Sequence, residues 1–366
     1  MIQLFKFFLK LGSTGFGGPI AMIGMMEQHF VQNEKSITKE DFQQYVAAAK
    51  LFPGPLATLV AMRIGLQLQG KPGAIIAGFF QVFPAFLMIL FISHFMLGAK
   101  SNSNDIFHHL FLGLNFGGLA LSVVAAIRFV KPLINAQSLF YLFGTAVLTY
   151  YYPKEEIYFL LACGFLSLIY LRFKNVVFEA STVILSALFF ESFKASLFTF
   201  GSGLAIVPVL KSIYIDQYHW VTESDFLTAL SFGQMTPGPL VILNTYLGNQ
   251  VGQLPGAVLA TTGTFMPTFI FGLWVMPYFQ KKLLNNPILK DFFSGMLPAV
   301  GGAILGSVLR LCLFAVKDEP GTISLNHTLL LCMIIALALK SKLHPIFILI
   351  IGSALTVLGF LAGIIQ

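Results

Sequence analysis

Two Pro-Gly-Pro triplets, Pro53-Gly54-Pro55 and Pro237-Gly238-Pro239, constrain this chain more than anything else in it. Each lies inside a long apolar stretch that would otherwise read as one helix. Proline lacks the backbone donor a helix interior needs and clashes with the preceding turn, and glycine loosens the chain further. The triplets therefore predict two split helices. Free backbone groups are tolerated at membrane depth only where they face protein or water. Paired interruptions of this kind point to a solute site between them.

Composition decides that the setting is a membrane. Of 366 residues 57% are hydrophobic and only 10% charged, with mean hydropathy +0.83. A soluble domain carries about a quarter charged residues. The expected fold is an all-α polytopic membrane protein in the lipid bilayer. The net charge of +7 comes from basic residues scattered singly, which suits loop anchoring and gives no nucleic-acid footprint. Cys163, Cys312 and Cys332 stand alone, without CxxC or metal spacing, and His94, His108 and His109 form no ligand set. No metal and no cofactor is expected. The N-terminal run from Met1 to Lys10 lacks the order of a cleavable signal and reads as the first helix.

Apolar segments fall at roughly 4–30, 42–69, 73–97, 106–130, 138–151 and 156–171, the first interrupted by Gly12 to Pro19. The pattern then restarts. A shift of 184 positions lays Phe16-Gly17 on Phe200-Gly201, Thr38 on Thr222, Asp41 on Asp225 and the first triplet on the second. One residue of adjustment matches Pro72-Gly73-Ala74 with Pro255-Gly256-Ala257 and Pro84 with Pro267; one more brings Arg128 to Arg310. The chain thus reads as a tandem duplication, 1–180 and 181–366, of broken and continuous transmembrane helices in about 10 to 12 membrane segments.

Basic residues alternate between corresponding loops. Arg63 and Lys71 follow the first break while 247–255 carries no charge, and Lys281, Lys282 and Lys290 answer Lys100 alone. That favours halves of opposite orientation, although Arg310 and Lys317 depart from it. Opposite orientation needs an odd number of crossings per half, so one broken segment per half is expected to enter and leave on the same face.

A split helix offers the N-terminus of its second part, with free N–H groups and partial positive charge, to an anion. The candidate substrate-binding set follows from this. It comprises Pro53, Gly54, Pro55 and Thr58 in the first half, and Pro237, Gly238, Pro239 and Asn244 in the second. Gly17, Gly18, Gly201, Ser202 and Gly203, in glycine-rich turns, could close the same cavity. Lys50 and Arg63 flank the first break; Gln234 stands where Lys50 does. Lys50 reads either as an anion partner or as a lysine reaching the interface, and Gln234 and Asn244 equally as contacts between helices. Glu27, Glu179 and Glu191 are the carboxylates nearest the apolar segments, where a coupling proton could bind. No nucleophile elbow, P-loop or zinc-protease motif is present, so an enzyme is not expected.

These motifs together resemble the chromate ion transporter family in its two-domain type. The resemblance covers nearly the whole chain. It rests on Gly12-x-x-x-Phe16-Gly17-Gly18-Pro19, both Pro-Gly-Pro segments, Gly70-x-Pro72-Gly73 with Pro84, and Phe200-Gly201-x-Gly203 with Pro208. It implies an inner-membrane carrier that exports chromate, a tetrahedral dianion like sulfate, with oppositely oriented halves. Lys50 and Arg63 depart from the family's uncharged polar and aromatic residues, and Gly203 replaces the proline of Pro19. The expected function is export of a divalent oxyanion, chromate or sulfate, by alternating access across the cell membrane, with a homodimer admitted. The rival reading is an exporter of another small solute, an amino acid or organic anion.

Overall fold

The computed structural model describes residues 1–16, 18–50, 52–99, 105–131, 134, 136–152, 184–199, 203–278, 287–317, 324–340 and 345–362. Among them all extended regular structure is helical. In the first half α1 is Ile2–Thr14, α2 is Gly18–Met26 prolonged by the wider turns of Glu27–Asn33, and α3 is Lys39–Ala49. The helical run Leu56–Ala99 is divided by non-helical dihedrals at Gln69 and Gly70 into α4 (56–68) and α5 (71–99). Then come α6, Asp105–Val130, and α7, Ala136–Tyr151. The second half repeats the order with α8, Ile184–Leu197; α9, Ile206–Lys211, flanked by short turns; and α10, Glu223–Met235. Non-helical Gly252 and Gln253 divide the next run into α11 (240–251) and α12 (254–278). The half closes with α13, Pro287–Ala315, and α14, Leu325–Lys340; α15, Pro345–Leu361, follows. The counterpart of α15, expected at 156–171, and the boundary near 180 lie outside the described residues.

Local chemistry sets these limits. Thr38 and Thr222 start α3 and α10 by accepting the N–H of Asp41 and Asp225, each at 3.1 Å, and the acidic first turns complement the helix dipole. Both helices stop short of their Pro-Gly-Pro triplet. Gly54 and Gly238 take φ of 122° and 111°, a conformation closed to residues with a β-carbon.

The interrupted segments do not continue across the membrane; they double back. Arg63 lies 4.6 Å above the ring of Tyr45, whereas 18 residues of straight helix would separate them by about 27 Å. Phe232 and Tyr246 are 5.7 Å apart across the second triplet. The first segment of each half does the same. Phe8 stacks on Phe30 at 5.9 Å, and Tyr218 donates to Glu191 at 3.1 Å. Each half therefore carries two re-entrant hairpins, α1–α2 with α3–α4 and α8–α9 with α10–α11. The expected long first segment, 4–30, is one of these hairpins, so two broken segments per half double back where one was expected. Second turns at 69–70 and 252–253 bring Gly65 against Gly73 and Gly248 against Gly256, so closely that a β-carbon would strike the opposing carbonyl.

The long helices α5 and α12 pack side by side. Gly78 of α5 meets Phe269 of α12, while Ser93, further along α5, accepts from Asn249 beside the start of α12 at 2.7 Å. Asn249 belongs to α11 but sits level with the start of α12, because Gly248 touches Gly256. The early part of α5 thus meets the late part of α12 and its later part the start of α12, and the pair is antiparallel. Equivalent helices in antiparallel contact are related by an axis across them, so the halves are inverted repeats.

The remaining helices form a second body. Gly113 and Gly117 of α6 fit against Gly352 and Leu349 of α15, and Gly302 and Gly306 of α13 fit against Leu142 and Ala146 of α7. Small residues let membrane helices approach closely. Exposed Phe79, Leu87, Phe91, Trp274, Met333 and Phe347 present the apolar exterior expected toward lipid. Helices of α5, α6, α12 and α13 are long and apolar enough to cross a membrane.

Candidate functional site at the crossed hairpin tips

The four hairpin tips converge, and each Pro-Gly-Pro tip is fastened to the opposite half. The Gly54 N–H donates to the Thr199 carbonyl at 2.7 Å, and the Gly238 N–H donates to the Gly15 carbonyl at 3.3 Å. The two bonds are counterparts, for Gly15 stands to Thr199 as Gly54 does to Gly238. Their surroundings match as well: the α-carbon of Gly54 abuts Thr268 of α12, and that of Gly238 abuts Ala85 of α5. A backbone bond inside hydrocarbon has no competing water, which makes such contacts hard to dispense with.

Several expected site residues line this crossing. Pro53, Gly54, Pro55, Thr58, Pro237, Gly238 and Pro239 are all buried there, and Gly203 packs against Leu240 at the start of α11. The amides of Leu56 and Ala57 lie in the first turn of α4, where a helix has no acceptor of its own. The amides of Gly54 and Gly238 are already engaged across the halves, and that of Thr58 donates to Pro55 at 3.0 Å. Gly18 opens α2, while Gly17, Gly201 and Ser202 lie outside the described residues.

Other candidates stand apart. Gln234 donates to the Gly118 carbonyl and to Ser122 of α6, each at 2.8 Å. Asn244 donates to Ser192 and Thr264 at 2.8 Å and to the Ala260 carbonyl at 3.3 Å, tying α11 to α8 and α12. Arg63 rests on Tyr45. Lys50 is exposed, in line with Gln43, Gln44 and Ala47 on one face of α3. Polar side chains at this depth call for water on that face. The equivalent face of α10, Leu227, Thr228, Ser231 and Gln234, is shut against α6. On that side Asp216 also pairs with Arg310 of α13 at 3.3 Å, and buried Lys211 pairs with Glu223 at 3.3 Å. Of the carboxylates, Glu191 binds Lys194 at 2.6 Å and Tyr218.

Sequence reasoning passed over Ser196, Thr268 and Gln81. The side-chain oxygens of Thr58, Ser196 and Thr268, and Oε1 of Gln81, are buried without a hydrogen-bond partner at the crossing. Each unpaired hydroxyl costs about 1–3 kcal/mol. On α12 the hydroxyls of Thr261, Thr262 and Thr264 all donate to the carbonyl four residues back, and Thr268 does not.

The chromate transporter family matches residues 2–168 and again 186–358. This chain belongs to the chromate transporter family. It is 32% identical to a chromate transport protein of Cupriavidus metallidurans, over 96% of this chain and 91% of that protein. It is 30% identical to a probable chromate transport protein of Synechococcus elongatus, over 87% and 86% of the two chains. An uncharacterized transporter of Methanocaldococcus jannaschii is 28% identical over 85% and 84%. No solved structure matches. As a chromate transporter family member the chain is a multi-pass membrane transport protein, and its two family regions are the two inverted repeats.

Proposed function

We propose that the protein carries a divalent tetrahedral oxyanion, chromate or the similarly shaped sulfate, out across the cell membrane by alternating access. The carrying observation is the pair of cross-half bonds, Gly54 to Thr199 and Gly238 to Gly15. They hold two interrupted helices, one from each inverted half, with helix N-termini at mid-depth. Such termini favour anions without a fixed counter-charge. The names of the Cupriavidus and Synechococcus relatives supply the chromate reading.

The moving parts are the hairpin body, α1–α5 with α8–α12, and the bundle of α6, α7 and α13–α15. The α10 face is closed on the bundle while the α3 face is exposed, so one side of the crossing is open and the other sealed. Rocking that exposes α10 and covers α3 would turn the site to the other side. Lys50, on the open face, draws the anion in.

The test is flux of labelled chromate and sulfate in proteoliposomes. Anion-dependent flux is expected, with Lys50→Ala raising KM about tenfold, the worth of about 1.4 kcal/mol, and leaving the exposed site's fold intact. Folded protein that moves neither anion overturns the reading.

A further inference from the structure

We propose that the anion is held at one tip, not shared evenly between two: it binds beside Gly54, ligated by the hydroxyls of Thr58, Ser196 and Thr268 and the amides of Leu56 and Ala57. This inference rests on the oxyanion reading above and names the ligands. The three hydroxyl residues are fully buried, with relative exposure of 0% each, and none of their oxygens has a partner. They lie around a single bond. Thr199, whose carbonyl accepts from Gly54, donates its own N–H to the backbone carbonyl of Ser196 at 3.1 Å; Thr58 is in the first turn after Pro55; and Thr268 abuts the Gly54 α-carbon.

The other tip lacks this set. The repeat places Ile242 where Thr58 stands, Gly12 where Ser196 stands and Ala85 where Thr268 stands. Backbone geometry is duplicated, but the hydroxyls are not. A structural role would be shared by both tips, because both make the same cross-half bond. Hydroxyls found at one tip only, and left unbonded there, call for a ligand. Helical threonine and serine ordinarily donate to the carbonyl four residues back, as Ser122, Ser231 and Thr264 do here. Ser196 and Thr268 forgo that bond inside an apolar body.

The chemistry suits a carrier of dianions. Hydroxyls and amides donate to oxyanion oxygens without adding charge, so the ligand can leave without breaking an ion pair. Hydroxyls also accept, so a protonated oxyanion such as hydrogen phosphate would be admitted as well.

The experiment measures melting temperature of the purified full chain alone and with chromate, sulfate, molybdate or phosphate, together with Kd for each. Thr58→Val, Thr268→Val and Ser196→Ala should each weaken anion binding about tenfold or more. Their melting temperature without anion should stay equal or rise, since an unpaired buried hydroxyl is removed. Thr268→Ser should restore binding, and exposed Thr262→Val should leave it unchanged. Variants that melt lower without anion yet bind every anion normally would make the hydroxyls structural and overturn the proposal. No shift with any anion would overturn it too. A shift with molybdate or phosphate alone, abolished by Thr268→Val, would uphold this site while refuting chromate and sulfate as its cargo.

Discussion

Gly54 and Gly238 bear the heaviest demand placed on any single residue. Each combines a φ reserved for glycine with a neighbour, Thr268 or Ala85, that leaves no room for a β-carbon. Gly54→Ala and Gly238→Ala should each cost about 1–3 kcal/mol and break a bond between the halves. Thermal melting and chromate flux should fall together in both variants; normal melting in either would contradict the geometry. The need for glycine at these positions was readable in the triplets themselves. The fates of Gln234 and Asn244 were not, because their partners Ser122, Gly118, Ser192 and Thr264 come from helices distant in sequence. Thr268 was hidden for a related reason. In sequence it looks like Thr264, and only the backbone bond it declines sets it apart.

At the scale of the element, the hairpin is the unit. Its entry is written in Thr38–Asp41 and Thr222–Asp225, and its tip in Pro-Gly-Pro. Thr222→Ala should cost about 1 kcal/mol through loss of the cap, and thermal melting of the purified protein would register it. Its return path was not written as clearly. A segment such as 42–69 has the length and apolarity of a crossing helix, and hydropathy is blind to a reversal at its centre. The second turn is equally cryptic: Gly65 and Gly73 declare themselves only once they touch. Gly65→Val and Gly248→Val should prevent closure of α4 on α5 and of α11 on α12. The expected outcome is a collapse in monodisperse yield on size exclusion, far larger than for the exposed Gly24→Val, where a β-carbon meets nothing within 4 Å.

Across the whole molecule, the repeat was legible from ordered matches and the inversion from loop charges. The division into hairpin body and bundle was not, since it cuts across both repeats. It makes its own prediction. In a chain with Cys163, Cys312 and Cys332 replaced by serine, Ser231→Cys with Asn115→Cys should cross-link in the state described here, where the two side chains lie 3.4 Å apart. Ala47→Cys with Leu297→Cys, the corresponding pair on the open side, should cross-link through a short bis-maleimide only in the opposite state. Each link should arrest flux, and neither should form in a molecule that already carries the other. Both links forming in one molecule would rule out rocking between these bodies.

The crossed bonds reach beyond transport to how such a chain can be built at all. A gene cut to its first half would leave the Gly54 amide and the Gly15 carbonyl without their partners in the core of the bilayer. Such a fragment could regain them only from a companion lodged upside down, so a half-length relative would have to insert both ways up and pair head to tail.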